Sequence, residues 1–421
     1  MTASASPADI APSPALVGGP GIPLIDPESG APLYRDRPWS VTDGSGARWP
    51  VVQGIPYLRT GRDRLRREAL ASLDAGDERA ALVVLLADQD DHARTSPPPA
   101  GAILGMMEAV DDGSATLRDA MTALNFGPVA DYFAHRWSAP TYLSGLTLLG
   151  GHWLDGATVV EVACGIGHSL RDLATCGLPC VGLDVVYAKL WLARRFVVPA
   201  GVALVCGDAV TGLPLGPAPG PAVAFCHDAF YFFPDKPRVV ANLRQVVGDG
   251  GRILIGHAHN KNFDHRGVSG EPWTPSEYAS LLPGCVTYDD AELARSFWST
   301  HATAPRDLDD LGDREALAMA WGPPGWAADP WPGRRPLGIP RSGTPLRLNP
   351  MLAVDGGVLR PRWPSPRFEA EYAAESGYLE GHFVPPQDTL RLATLGAVDL
   401  DDPGVDRLLR HRVLLSLPER W

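Results

Sequence analysis

The spacing of hydrophobic and polar positions divides the chain into segments of different structural type. Over residues 61–150, leucine and valine recur at helical spacing, and Gly76 followed by Asp77 separates two helices, since glycine ends helices and aspartate caps them. Residues 158–162 instead form a nearly continuous β-branched run, which is typical of a buried strand. The pattern therefore predicts a helical segment over 61–150, followed by a region that contains strands.

Strand and helix patterns alternate over residues 151–290. After the first strand, further strand-like runs end at Asp184, at Asp208 and next to His227, and helical patterns separate several of them. Alternation of this kind is typical of a parallel sheet that is covered by helices. We therefore predict an α/β fold with helices on both faces of the sheet for this region.

The flanking segments differ from this central region. Residues 1–24 are rich in Ser, Pro and Ala and predict a flexible tail. Residues 25–60 contain short β-prone pieces between glycines and prolines, which predict a small N-terminal β module.

The region 291–421 is interpreted as a C-terminal accessory or cap lobe. It contains six of the twelve tryptophans and many prolines, which prevent a long helix. Its aromatic residues Phe368, Tyr372 and Tyr378 are expected to pack in a core, although they could also line a substrate pocket.

The turn after the first strand carries the clearest chemical motif, E-x-A-C-G-x-G, over residues 161–167. Its glycines allow a ligand to approach the backbone closely, and the helix that follows offers unpaired N–H groups at its N-terminus. Asp184 lies 23 residues after Glu161, close to where a Rossmann-type fold places the carboxylate that binds ribose hydroxyls. Together these features predict a nucleotide-binding turn.

The combination of motifs resembles the class I S-adenosylmethionine-dependent methyltransferases. Their first motif is matched by 161–167, their ribose-binding acid by Asp184, and the acid that binds the adenine amino group by Asp208. The resemblance implies a Rossmann-like methyltransferase sheet and S-adenosyl-L-methionine as cofactor. The implied cofactor-binding residues are Glu161, Ala163, Cys164, Gly165, Gly167, Asp184, Asp208, Ala209 and His227.

The N-terminal β module resembles the short zinc ribbon that precedes some methyltransferases, and it ends in a G-I-P-x-L motif at 54–58. The four cysteine positions of that ribbon fall on Asp26, Ser29, Thr42 and Ser45. One carboxylate and three hydroxyls are poor substitutes for four thiolates around Zn²⁺, so this degenerate ribbon is predicted to have lost its metal.

A fifth strand-like run begins in the stretch GRILIGHAHN at 251–260. The four polar residues that follow the fourth and fifth strands are the candidate catalytic groups. An open α/β sheet binds ligands beyond the carboxyl ends of its strands, which is where His227, Asp228, His257 and His259 are expected to lie. Each could act as a base on the nucleophile that receives the methyl group. The same four groups could instead ligate a divalent ion, but no known spacing supports this, and we predict no metal.

Composition narrows the function further. The net charge of −12 disfavours nucleic-acid and anionic-membrane partners. No apolar run reaches the roughly 18 to 20 residues needed to span a bilayer, and the first residues lack a signal sequence, so we expect a cytoplasmic protein. We predict a methyltransferase that acts on a small molecule, in specialised metabolism. Two alternatives stay open, a methyltransferase-fold enzyme that catalyses a non-methylating displacement or cyclisation, and a non-catalytic partner subunit; the oligomeric state is not predicted.

Overall fold

The computed structural model describes residues 14–17, 21–265, 269–299, 302–326, 336–341, 343–379 and 382–421. The strands are β1 (Leu16–Val17), β2 (Ile22–Pro23), β3 (Tyr34–Arg37), β4 (Ser40–Thr42), β5 (Arg48–Val52), β6 (Ile55–Leu58), β7 (Thr158–Val162), β8 (Cys180–Asp184), β9 (Ala203–Gly207), β10 (Ala222–His227), β11 (Arg252–His259), β12 (Val286–Asp289), β13 (Ala316–Trp321), β14 (Arg347–Leu348), β15 (Leu352–Asp355), β16 (Val358–Pro361), β17 (His382–Phe383) and β18 (Leu414–Leu415).

The helices are α1 (Asp63–Asp74), α2 (Glu78–Leu86), α3 (Ala100–Asp111), α4 (Leu117–Ala123), α5 (Val129–His135), α6 (Pro140–Gly151), α7 (His168–Thr175), α8 (Tyr187–Leu192), α9 (Lys236–Val247), α10 (Pro275–Leu281), α11 (Asp290–Ser299), α12 (Pro366–Tyr372), α13 (Gln387–Thr394) and α14 (Pro403–Arg410). A π-helical turn, Ala193–Val197, continues α8. Asp77 caps α2 by accepting a hydrogen bond from the Ala80 N–H, as its position between two helical patterns predicts.

One mixed sheet of eleven strands organises the molecule, in the order β12-β13-β11-β10-β7-β8-β9-β6-β5-β4-β3. Its centre, β9-β8-β7-β10-β11, is parallel. The strand order reverses between β7 and β10, and ligands bind at such a reversal, beyond the carboxyl ends of the strands. This topology confirms the predicted α/β, Rossmann-like class. It also places the expected ligand site beyond the carboxyl ends of β7 and β10.

Both faces of the sheet are covered by a hydrophobic core. Alternate residues of a strand point to opposite faces, and Val159 and Val160 accordingly belong to different core clusters. The cluster on one face includes residues of α1–α8, and the cluster on the other face includes residues of α9 and α10. Helices therefore cover both faces, as the alternating pattern predicts.

The N-terminal β module is continuous with the central sheet. Strand β6 pairs in parallel with β9, with Tyr57 opposite Cys206 and Leu58 opposite Gly207, so the module covers what would otherwise be an open edge of the sheet. The predicted boundary at residue 60 therefore does not separate two sheets. Of the predicted flexible tail, residues 1–13 and 18–20 lie outside the described part, whereas β1 and β2 pair with each other.

The positions that match zinc ligands close turns by hydrogen bonds. Asp26 is buried; its Oδ2 accepts from the Trp49 indole N–H at 2.7 Å, and its Oδ1 accepts from the N–H groups of Glu28 and Ser29. The Thr42 hydroxyl donates to the carbonyl of Ala47 at 2.7 Å. Hydrogen bonds of Asp26 and Thr42 therefore stabilise the turns of the N-terminal β module.

The central sheet also takes a strand from the predicted C-terminal lobe. Strand β13 inserts between β11 and β12 and runs antiparallel to both. The predicted boundary at residue 290 therefore cuts through the sheet, because the strand that completes this edge follows α11 in sequence. Sequence periodicity shows that a segment is a strand but does not show which edge it joins.

Candidate active site

A cavity of about 1170 Å³ lies at the carboxyl ends of β7 to β10, where the strand order reverses. The sheet supplies one wall. The loop 88–95, the segment 124–136 and α12 supply the others. The cavity is therefore lined by segments that precede and follow the central α/β region in the sequence.

The turn after β7 approaches the cavity through its backbone. Ala163, Gly165 and Gly167 have φ angles of 57°, 56° and 81°, in the left-handed region. A Cβ atom on Gly165 would lie 3.0 Å from the Phe133 ring, so glycine keeps this wall open. Gly167 differs from the prediction, because it does not line the cavity and a Cβ there would lie 2.7 Å from Val198. Its role is to pack the start of α7.

Glu161 carries a buried carboxylate that faces the cavity. Its Oε2 atom has no hydrogen-bond partner among the described residues, and burial raises its pKa to about 8. A buried carboxylate oxygen without a partner is costly, so it indicates a group that arrives with the ligand. A cationic ligand group would satisfy it.

Two backbone N–H groups hold the Asp184 carboxylate in place. Its Oδ2 accepts from the Gly165 N–H and its Oδ1 from the Val186 N–H, both at 2.9 Å. The ammonium group of Lys189 lies 3.6 Å from Asp184 Oδ1 and 3.5 Å from Asp90 Oδ2. Burial opposes the charge of Lys189, but these two carboxylates raise its pKa.

The remaining predicted cofactor residues lie along the same wall. Asp208 and Ala209 line the cavity after β9, and Asp208 accepts from the Val210 N–H at 2.8 Å. Cys164 also lines it, and burial raises the pKa of its thiol, so it is not a thiolate at neutral pH.

A polar wall, which we define as Asp228, His257, His259 and Asp290, closes the cavity near β10 and β11. Asp228 Oδ2 accepts from the Tyr132 hydroxyl and from Arg136, each at 2.8 Å. Burial opposes ionisation of Asp228, but Arg136 holds its pKa well below the usual range.

His257 is the most strongly held imidazole of the polar wall. Its Nδ1 lies 2.7 Å from Asp290 Oδ2, its backbone N–H donates to Asp290 Oδ1 at 3.1 Å, and its Nε2 lies 3.9 Å from Asp228 Oδ1. Burial opposes its charge, but Asp290 and Asp228 raise its pKa to about 9. His257 does not itself line the cavity, in contrast to Asp228 and His259.

His259 lies between two aromatic rings. Its ring is parallel to those of Tyr231 and His265, at centroid distances of 3.9 and 4.1 Å, and its Nε2 lies 3.2 Å from His257 Nε2. Burial, aided by the neighbouring His257, lowers its pKa to about 3.

His227 lines the cavity but directs its Nε2 to the carbonyl of Thr141, with which it forms a hydrogen bond. Its ring packs against Gly145 and Gly256, and a side chain at either glycine would clash with it. Burial lowers the pKa of His227 to about 4. The three candidate histidines thus have pKa values about 2 or more units from neutral, whereas an efficient general base has one near the working pH.

Several residues of the site are not among the sequence-based candidates. Asp290 holds His257, Arg136 pairs with Asp228, and Lys189 neutralises Asp184. Of the aromatic residues expected in a core, Phe368, Tyr372 and Tyr378 are all buried in it, and Phe368 and Tyr372 also line the cavity from α12, which is the alternative that the sequence left open. No local motif marks these residues, because each reaches the site through the tertiary fold.

Comparison with known proteins identifies the central domain. Residues 160–255 match the family described as a methyltransferase domain, which confirms the resemblance based on the turn 161–167. S-adenosylmethionine is the cofactor that this domain and its motifs indicate. No curated protein sequence matches the chain.

Solved structures with related folds cover about half of the chain. They include a complex between the Haloferax volcanii Trm112 methyltransferase activator and a methyltransferase (16% identity, 51% of this chain and 100% of that chain, TM-score 0.34). Others are Haemonchus contortus phosphoethanolamine N-methyltransferase 2 with S-adenosyl-L-methionine (16%, 50% and 61%, 0.31) and a Thermotoga maritima S-adenosylmethionine-dependent methyltransferase (16%, 48% and 97%, 0.32). At these identities and TM-scores, the similarity concerns the fold alone.

None of the described helices combines enough length and apolar character to cross a lipid bilayer.

Proposed function

We propose that the protein is an S-adenosylmethionine-dependent methyltransferase that methylates a small molecule held in the cavity. One observation carries this proposal: Glu161 faces the cavity beside a glycine turn at the strand-order reversal, and its buried Oε2 atom has no hydrogen-bond partner among the described residues. The cofactor's amino-acid half carries an ammonium group, which is the cation that this carboxylate lacks.

The chain has suitable groups for each part of the cofactor. The Glu161 carboxylate and the backbone at Gly165 would hold the amino-acid half, Asp184 would accept from the ribose hydroxyls, and Asp208 would bind the adenine amino group. Gly165 fits because a side chain there would meet Phe133 and fill the space. When bound, the cofactor supplies an electrophilic methyl group on sulfur.

The substrate would occupy the part of the cavity between the polar wall and α12. A volume of about 1170 Å³ exceeds the roughly 300–1,000 Å³ of a typical small-molecule site, so cofactor and substrate can lie side by side. Phe368 and Tyr372 offer apolar contacts, and Asp228 and His259 offer polar ones. The flanking segments that line the cavity would align the nucleophile with the methyl group, and such alignment supplies much of the catalysis in a displacement.

Calorimetric titration with S-adenosylmethionine and S-adenosylhomocysteine tests the cofactor before any substrate is known. We expect saturable binding of both at one site per chain. Mass spectrometry on candidate small molecules then tests the reaction, which must yield S-adenosylhomocysteine and a product heavier by one methyl group. A folded protein that binds neither compound would refute the proposal. Conversion of a substrate to a product that has not gained a methyl group would instead support a non-methylating displacement or cyclisation.

A further inference from the structure

Three side chains of the polar wall bring atoms that can bind a metal close together. Asp228, His257 and His259 each offer one atom, and these atoms lie within 4.8 Å of one another. The His257 and His259 Nε2 atoms are 3.2 Å apart. Two nitrogens bound to one ion at about 2.1 Å are about 3.0 to 3.4 Å apart, so the imidazoles already have the spacing of metal ligands.

Neighbouring groups hold each of these atoms in place. Asp290 accepts from His257 Nδ1, which leaves Nε2 to face His259. Arg136 and Tyr132 donate to Asp228 Oδ2. Oδ1 of Asp228 accepts from the Tyr231 hydroxyl at 3.1 Å, lies 3.9 Å from His257 Nε2 and keeps a second lone pair for an ion. A carboxylate behind a histidine is the usual outer contact of a metal-bound imidazole, because it fixes the ring and its tautomer.

The backbone that carries these residues is strained. Asp228 and His257 are non-glycine residues with φ angles of 55° and 49°. The β11–β13 pairing shifts register between Ile255 and Ala258, so His257 lies in a bulge. Strain and bulges of this kind occur where a side chain is directed into a functional site.

We propose that Asp228, His257 and His259 bind one divalent transition-metal ion. Two imidazoles and one carboxylate suit Zn²⁺, Fe²⁺, Co²⁺ or Mn²⁺ and leave further coordination positions open. Asp228 and His259 line the cavity, so an open position would face it and take an oxygen of water or of a hydroxyl-bearing substrate. The metal site stands on its own geometry and departs from the sequence-based prediction of no metal; only the substrate clause rests on the proposed function.

Cobalt is the most informative probe, because its visible spectrum reports the ligands directly. We would remove metals from the full-length protein with chelator, titrate it with Co²⁺ and count the ions bound per chain. We expect one Co²⁺ with d–d absorption bands, displaced by Zn²⁺ but not by Mg²⁺. The variants Asp228→Asn and His259→Gln should weaken Co²⁺ binding at least about 10-fold, in the range for loss of a metal-site contact.

Two controls separate this site from other ions. His411→Gln removes an imidazole that does not line the cavity, and Ser45→Ala removes an exposed hydroxyl of the N-terminal β module; both should bind Co²⁺ as the wild-type protein does. Each variant is checked by circular dichroism and by S-adenosylmethionine titration. If wild-type protein binds no Co²⁺, or if folded Asp228→Asn and His259→Gln bind it unchanged, the cluster is only a hydrogen-bonded wall and the proposal is wrong. The cofactor titration on the same samples shows separately whether the proposed function holds.

Discussion

The two ends of the cavity are built in different ways. At the cofactor end, one continuous stretch from Glu161 to Asp184 supplies the strand, the glycine turn and the carboxylates. At the polar wall, residues from the end of β10, from β11 and from α11 meet; Asp290 is 33 positions from His257, and Arg136, which pairs with Asp228, is 92 positions from it. The first end is a local motif, and the second is a product of the tertiary fold.

The two ends also differ in what they leave unsatisfied. The cofactor end retains a buried carboxylate oxygen without a partner, at Glu161. The polar wall pairs its charges internally, with Arg136 on Asp228 and His257 on Asp290. Changes at the cofactor end should therefore act mainly on ligand affinity, whereas changes at the polar wall should act on turnover and folding.

The largest expected effect lies at the polar wall. We expect His257→Ala and His259→Ala, made separately, to lower turnover by about 10²- to 10⁴-fold, because each removes a ligand of the proposed metal ion, whose open position would hold the substrate's oxygen. S-adenosylmethionine affinity should change by less than about twofold, since neither imidazole belongs to the cofactor end. Steady-state kinetics and calorimetry on samples with wild-type circular dichroism check this. Retention of more than about half of wild-type turnover in both variants would show that the histidines are structural and that alignment suffices.

The next largest effect concerns stability. Arg136→Ala would leave Asp228 buried without its cation, and both side chains of this pair are only 8% exposed. Removal of one partner from a buried pair costs about 3 to 5 kcal/mol, so the free energy of unfolding should fall by that amount in urea denaturation. The matched control is Arg64→Ala, whose partner Glu68 is 45% exposed and whose loss should cost less than about 1 kcal/mol. Equal effects of the two variants would contradict the picture of a charge-paired wall.

The same contrast explains what the sequence could predict. The α/β class, the turn 161–167 and the strand-end residues Asp184 and Asp208 follow from local patterns, because a strand, a tight turn and a helix start are each encoded within a few residues. The Asp77 cap of α2 could be predicted for the same reason, since a cap involves only residues close to each other in the sequence.

What the sequence could not predict depends on long-range pairing. The position of β13 beside β11, and the pairing of β6 with β9, are choices of sheet edge that periodicity does not encode. Asp290 lies at the predicted domain boundary, yet it holds His257. Gly167 is the opposite case: it belongs to the local motif and was predicted to bind the cofactor, but it packs the start of α7 and does not line the cavity.

At the cofactor end, Asp184→Ala should weaken S-adenosylmethionine binding by about 1.5 to 3 kcal/mol, the range for hydrogen bonds to a charged group. Part of this loss would be indirect, since Asp184 also fixes the Gly165 N–H at 2.9 Å. Calorimetry measures the affinity, and Asp208→Ala serves as a comparison at the adenine side. Unchanged affinity in folded Asp184→Ala would end its assignment to the ribose.

The smallest expected effect is a pH dependence of cofactor binding that originates at Glu161. Burial raises the pKa of this carboxyl to about 8, so it is largely neutral in the free protein at pH 7. The cofactor's ammonium group favours the ionised form, and binding must therefore release a proton, so affinity rises with pH up to the raised pKa and levels off above it. From pH 7 to pH 8 we expect the dissociation constant to fall about fivefold in calorimetry. Glu161→Gln has no proton to release, and its affinity should be weaker and flatter over the same interval. If the dissociation constants of the wild-type protein and of Glu161→Gln depend on pH to the same extent, the ammonium group binds elsewhere. The unpartnered Oε2 of Glu161 would then need another ligand.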